Sequence, residues 1–376
     1  MPAASPASAS RSITAGAEAE GLAEPAGLIT VALRFAPLAW PLWHGPLWHG
    51  LDSMIVLTGA AGFVGMHVAE RLLARGEPVH GVDDFNAYYT PALKEARAAR
   101  LERVPNFALT RMDIADAEAF RALVERLQPR AVIHLAAQAG VRHSISAPFA
   151  YERANLAGHL SVLEAVRALK QPTPLIYASS SSVYGDRPLN GDGFKETDPV
   201  DAPASLYAAT KRAGELMSIA YASLYGLPAT GLRFFTVYGP WGRPDMAYYS
   251  FANRILRDEP IELFGEGRLA RDFTYIDDIV DGIMGVLDNP PASGVHRLFN
   301  IGDSAPVTVN AMVALLEEAL GRKARTILKP PQQGDVTATF ANIDALAALC
   351  GYAPKVPLAE GLRRFAAWRL GEGAAF

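Results

Sequence analysis

The run Ile55-Val56-Leu57-Thr58-Gly59-Ala60-Ala61-Gly62-Phe63-Val64-Gly65 decides the fold of this 376-residue chain. A short apolar strand enters three glycines spaced G-x-x-G-x-x-G, and a helical stretch, Val64–Ala74, follows. Gly59 permits a tight turn, Gly62 lets the backbone approach a pyrophosphate, and Gly65 allows the helix to pack closely on the strand. Free N–H groups and the helix dipole favour negative charge at such a helix start. Glycines at this spacing alone are weak evidence; a strand before and a helix after make them a dinucleotide-binding turn. Phe63 and Val64 belong to the same candidate cofactor contact.

Outward from this run the pattern alternates between short apolar segments and amphipathic ones. Strands are expected at Ile55–Thr58, Pro78–Val82, Phe107–Leu109, Ala131–Leu135, Leu175–Ala178 and Thr230–Arg233. Helices are expected at Ala117–Leu127, Leu156–Leu169 and Ser205–Tyr225 as well. Alternation of this kind builds βαβ units, so the fold class is α/β: a Rossmann-like doubly wound parallel sheet, here of six strands with right-handed crossovers. After about Phe235 the alternation fades into mixed elements ending in a helix at Leu358–Leu370. The expected organisation is a low-complexity extension over 1–53, a cofactor domain over 54–236 and a smaller mixed substrate domain over 237–376, some of whose elements return to the first. Ligand would sit beyond the carboxyl ends of the strands.

Composition agrees with a folded soluble chain: 20% charged, 50% hydrophobic, and 35 basic against 39 acidic residues. A net charge of -4 gives no electrostatic reason to expect a nucleic-acid partner. The only cysteine, Cys350, asks for no oxidising compartment, which favours the cytoplasm. Residues 1–27, rich in Ala, Ser, Pro and Gly, read as a disordered tail. The apolar stretch Leu28–Trp43 is shorter than the ~20 residues of a membrane span, and Glu18, Glu20 and Glu24 before it disfavour a signal peptide. No membrane is required on this reading. A tandem Pro-Leu-Trp-His-Gly repeat carries His44 and His49 without further ligands nearby, so no metal site is expected, and Met54 stands as an alternative start.

The second strand ends Val82-Asp83-Asp84, where a carboxylate, Asp83, would hydrogen-bond an adenosine ribose; Asp84 reads equally as a solvated turn residue. A carboxylate there repels a 2′-phosphate, and the next basic residue is Lys94, so NAD is favoured over NADP. Asp113 and Ile114, after the third strand, are placed to meet adenine or to start the next helix. Tyr207 and Lys211, four apart, share one helix face. A phenol with a reference pKa of ~10 is a poor base unless an ammonium and a cationic nicotinamide stabilise its phenolate. The segment Tyr177-Ala178-Ser179-Ser180-Ser181-Ser182-Val183-Tyr184-Gly185 runs out of a strand with four consecutive hydroxyls at the ligand end of the sheet. No oxyanion-hole motif accompanies them, so they read as donors to a sugar hydroxyl or carboxylate rather than as nucleophiles.

Together with His134-Leu135-Ala136-Ala137, these motifs occur in an order that resembles the extended short-chain dehydrogenase/reductase superfamily and, within it, the nucleotide-sugar epimerases. The resemblance covers Met54 to the C-terminus. It implies that Tyr207 is the base, Ser180 its hydroxyl partner, Lys211 the binder of the nicotinamide ribose, Asn155 a cofactor-side residue, and Leu135, Ala136 and Ala137 cofactor contacts. Phe85–Tyr89, Ala139–Arg142, Tyr238–Ala247 and Gln332–Val336 look like UDP-glucuronate 4-epimerases, the run Gly239–Met246 most specifically. By that resemblance Arg271 sits by the nucleotide diphosphate, Asp335 lies near the uridine, and Gln332 replaces an arginine common in UDP-galactose epimerases. Gln333, where proline commonly stands, is a modest departure.

The implied reaction is reversible C4 epimerisation of a UDP-sugar, UDP-glucuronate to UDP-galacturonate, through a 4-keto sugar. That intermediate is a β-keto acid, so its carboxylate must be held away from alignment with the carbonyl; Ser181, Ser182, Thr236 and Arg243 are the candidates. The Glu of related decarboxylases and the Asp-Glu pair of dehydratases are absent at Ser181-Ser182. Alternatives are a UDP-glucose or UDP-N-acetylhexosamine 4-epimerase, a UDP-glucuronate decarboxylase, and a non-catalytic NAD-binding regulator. Such proteins are commonly homodimers through a helical bundle, to which Ser205–Tyr225 would contribute.

Overall fold

The computed structural model describes residues 54–187, 191–330 and 338–376. In chain order the first half runs β1 (Ile55–Thr58), α1 (Phe63–Ala74), β2 (Val79–Asp83), α2 (Pro91–Leu101), β3 (Phe107–Arg111), α3 (Ala117–Leu127), β4 (Ala131–His134), α4 (His143–Ser146), α5 (Pro148–Tyr151), a π-helical turn (Glu152–Ala157), α6 (Gly158–Arg167) and β5 (Leu175–Ser180). Next come α7 (Leu206–Tyr225), β6 (Ala229–Phe234), β7 (Thr236–Tyr238), α8 (Ala247–Leu256), β8 (Ile261–Phe264), β9 (Ala270–Tyr275) and α9 (Ile276–Asp288). The chain closes with β10 (His296–Ile301), β11 (Pro306–Thr308), α10 (Val309–Leu320), β12 (Thr326–Lys329), β13 (Ala338–Thr339), α11 (Asp344–Cys350) and α12 (Leu358–Leu370).

Seven parallel strands form the main sheet in the order β10-β6-β5-β4-β1-β2-β3. β1 is buried throughout, and its residues alternate between two cores: Ile55 and Leu57 pack with Met66 of α1 and Ile279 of α9, whereas Val56 packs with Phe120 of α3 and Val162 of α6. Period-two alternation with both faces apolar is what a sheet covered by helices on two sides demands. The order reverses at β1, between β2 and β4, which opens a crevice above the glycine turn.

Three particulars differ from the expectation. The sheet has a seventh strand: β10, from the C-terminal part, pairs in parallel with β6 from His296↔Ala229 to Ile301↔Phe234. A helix expected as one piece over Leu156–Leu169 is preceded by a π-helical turn, so α6 starts at Gly158. Between β2 and β3 lies α2, whose inward face carries Leu93, Lys94, Arg97, Ala98 and Leu101; two charged residues at buried positions conceal its helical period. The remaining strands form a small sheet, β11-β9-β13 with β7 also on β9, and a β12-β8 pair. Among the described residues no helix is long and apolar enough to cross a membrane, and no group of three His, Cys, Asp or Glu could hold a metal ion.

Candidate active site

A cleft of about 240 Å³ opens at the switch point. Gly59, Gly62, Phe63, Val64 and Gly65 line it from the first turn, Asp83 from the end of β2, Asp113 and Ile114 from beyond β3, and Leu135, Ala136 and Ala137 from beyond β4. Ser180, Tyr207, Lys211 and Arg243 line it too. Asn155, Ser181, Ser182, Thr236 and Arg271 are not part of that lining. Gln332 and Asp335 lie outside the described residues.

The glycine turn is fixed by backbone proximity. Gly59 has φ +74°, and a Cβ there would stand 2.7 Å from the Ala136 nitrogen; a Cβ on Gly65 would stand 1.9 Å from the Gly59 carbonyl oxygen. Gly62 caps α1 with extended backbone and no side-chain hydrogen bond, so the first N–H groups of the helix face the cleft without a side-chain cap. Asp83 Oδ2 accepts from the Ala61 N–H at 3.0 Å and Oδ1 from that of Phe85 at 2.9 Å. Lys94 Nζ stands 3.8 Å from Asp83 and 4.0 Å from Asp84. Burial pushes the Asp83 carboxyl above its usual range, against the pull of Lys94 and both N–H groups. Asp84 is more open and accepts from Asn86. Asp113 accepts from the Ala115 N–H at 2.8 Å, a turn bond ahead of α3, whose cap is Asp116, and from Arg153 Nε at 2.8 Å.

Asn155, in the π-helical turn, acts at one remove: its side chain accepts from Gln138 N at 2.8 Å and donates to Gln138 O and Thr210 Oγ1, both at 3.0 Å. It thereby ties the segment after β4 to α7. Ser205 caps α7, accepting from Ala208 N, and so sets the rotation that turns Tyr207 and Lys211 into the cleft. Tyr207 and Ser180 both line the cleft, and Ser180 Oγ accepts from Ser182 N at 3.2 Å and Ser182 Oγ at 2.9 Å. Ser182 therefore orients Ser180. Burial raises the Tyr207 pKa; the Ser180 hydroxyl and the Arg243 charge oppose that rise. Lys211 Nζ donates to Ala178 O at 2.9 Å, and burial lowers its pKa to about 8, with Glu215 pulling it up.

Several residues that pack behind the site or line it were not singled out from the sequence. Glu215 continues the Tyr207, Lys211 face of α7 by one more turn. Its carboxylate accepts from Ser179 Oγ at 2.6 Å and from Arg233 Nε at 2.8 Å and Nη2 at 2.9 Å. Glu215 and Arg233 are almost wholly buried, and burial of the carboxyl is outweighed by Arg233, which holds it below the usual range. Arg97 is also fully buried: it donates to Ala61 O at 3.2 Å in the glycine turn and to Trp241 O and Gly242 O at 2.6 and 2.8 Å in the loop ahead of Arg243. Tyr88 lines the cleft and donates to Asp245 at 3.0 Å. The helical spacing Tyr207, Lys211, Glu215 was a readable signal; the partners of Arg97 were not, being carbonyls from distant segments.

Glycine-lined backbone, a helix start and the Asp83 carboxylate make a cradle that fits NAD, in a cleft that Tyr207 and Lys211 also line. This defines a dinucleotide-dependent enzyme of the short-chain dehydrogenase/reductase type. The profile of the NAD dependent epimerase/dehydratase family matches residues 55–302, and the chain belongs to that family. It is 46% identical over 355 residues to UDP-glucuronate 4-epimerase 3 of Arabidopsis thaliana, covering 88% of this chain and 82% of the relative. Its fold is similar to the crystal structure of the UDP-glucuronic acid 4-epimerase of Bacillus cereus in complex with UDP-glucuronic acid and NAD, with TM-score 0.78, 33% identity, and coverage of 84% of this chain and 98% of that one. It is also similar to the UDP-glucose 4-epimerase of Thermotoga maritima with UDP-glucose, with TM-score 0.76, 30% identity, and coverage of 85% and 99%.

Proposed function

We propose that this chain is a UDP-glucuronate 4-epimerase, interconverting UDP-glucuronate and UDP-galacturonate. The observation that carries the reading is the meeting of Ser180, Tyr207, Lys211 and Arg243 in one cleft. NAD supplies the hydride acceptor and donor that turn the C4 carbinol into a ketone and back. Tyr207, as phenolate, takes the proton of the 4-hydroxyl and later returns one, while Ser180 holds the same oxygen. Lys211 binds the nicotinamide ribose, Asp83 the adenosine ribose, and Asp113 with Ile114 the adenine. Arg243, with Ser181, Ser182 and Thr236, meets the uronate carboxylate; Arg271, Gln332 and Asp335 serve the UDP group. Residues 54–236 form the NAD domain and 237–376 the UDP-sugar domain, with β10 crossing back. A homodimer through α6 and α7 is supported by exposed Leu160, Leu216, Ile219 and Leu224, and the single thiol suits the cytoplasm.

A second reading, a neutral UDP-hexose 4-epimerase, is favoured by one observation: Arg243 already has a carboxylate partner in Asp245. Incubation of the purified protein with UDP-glucuronate, followed by NMR, separates the readings. UDP-galacturonate is expected. UDP-xylose with CO₂ would move the assignment to a decarboxylase, and turnover of UDP-glucose alone would overturn the uronate substrate.

A further inference from the structure

We infer that Asp245 is a positioning residue that fixes which edge of the Arg243 guanidinium meets the sugar and thereby keeps the 4-keto uronate from losing CO₂. The inference rests on the uronate reading above. Arg243 Nε donates to Asp245 Oδ1 at 3.1 Å and Nη2 to Oδ2 at 2.5 Å, a two-bond grip on one side of the fork. Asp245 is itself held, because Tyr88 donates to Oδ2 at 3.0 Å while its ring lies 5.9 Å from the guanidinium carbon. The backbone is anchored as well. Trp241 adopts φ +59°, which a bulky L-residue rarely does, and buried Arg97 binds its carbonyl and that of Gly242. Head group and loop are thus both fixed, and the grip on Nε and Nη2 leaves the Nη1 end of the fork to the cleft that Arg243 lines.

The chemistry needs both consequences of this arrangement. In the 4-keto uronate, decarboxylation breaks the C5–C6 bond, passes its electron pair into the C4 carbonyl as an enolate that takes up a proton, and releases CO₂. It proceeds when C5–C6 aligns with the carbonyl π system, so an arginine with one orientation opposes it where a mobile one would follow the carboxylate. The sugar must also turn over before reduction on its other face. Asp245 offsets the Arg243 charge, so the carboxylate is held without being trapped.

The test uses the NAD-loaded enzyme with UDP-glucuronate, measuring UDP-galacturonate against UDP-4-keto-pentose plus trapped CO₂. Asp245→Asn should raise the decarboxylated fraction by roughly tenfold, about the worth of one charge-assisted hydrogen bond. Tyr88→Phe, which leaves the ion pair but loosens it, should give a smaller rise. Slower turnover with an unchanged product ratio in both variants would show a merely structural role and overturn the inference. Failure of the unmodified enzyme to convert UDP-glucuronate would instead overturn the reading beneath it.

Discussion

The two sides of the cleft are built by different means. On the cofactor side, backbone does the work: Gly59 and Gly65 leave no room for a Cβ, and the start of α1 presents N–H groups from residues adjacent in the chain. Beneath the rest of the cleft, side chains from distant segments converge. Glu215 of α7, Ser179 of β5 and Arg233 of β6 form one buried network, and Arg97 of α2 reaches Trp241 and Gly242. A site made of backbone is tied to local sequence; a site made of converging side chains exists only once the fold is complete.

The two sides should therefore fail differently. Tyr207→Phe, where they meet, should lower kcat by about 10²–10⁴ while NAD stays bound, measured by turnover and cofactor content; undiminished turnover would remove Tyr207 as the base. Glu215→Ala strands Arg233 in the interior and should cost about 3–5 kcal/mol of stability by chemical denaturation. A change within experimental error would mean that the network contributes nothing to the fold beneath the cleft. Gly65→Ala, on the backbone side, forces a carbon against the Gly59 carbonyl and should weaken NAD binding by roughly 10²-fold, the order expected from misplacement near 1 Å. Equal NAD affinity by calorimetry would break the contrast.

The smallest effect is electrostatic. Burial lowers the pKa of Lys211 to about 8, so its ammonium is present below that pH and is lost as pH rises through it. Tyr207, raised by burial, pulls the other way because its phenolate gains with pH. Binding that depends on the ammonium, read as NAD affinity against pH, should fall by up to about fivefold between pH 8 and 9. A flat profile would place the functional charge elsewhere in the lining, at Lys94 or Arg243.

Legibility in the sequence follows the same division. The strands of the main sheet through β6, helix α1, the capped helix α7 and the glycine turn were readable because each imposes a local demand: apolar runs, a hydroxyl cap, residues without a side chain. The seventh strand was not, since β10 lies among mixed elements and its partner β6 is remote in sequence. Helix α2 was hidden because Lys94 and Arg97 stand where apolar residues mark an inward face. Arg243 was visible as a cation, but its pairing with Asp245 depends on a loop whose shape is set by Trp241 and Arg97.

The late strand has a consequence for the chain as it is made. When Phe234 has emerged from the ribosome, β6 is the outermost strand, with a row of unpaired N–H and C=O groups on its free side, and the strand that covers it begins roughly 60 residues later. At synthesis rates of about 5–20 residues per second, that edge waits for roughly 3–12 seconds. During biosynthesis, the nascent sheet is open to pairing with foreign strands for longer than most of its elements take to form, so expression of this chain should be sensitive to chaperone supply in that interval.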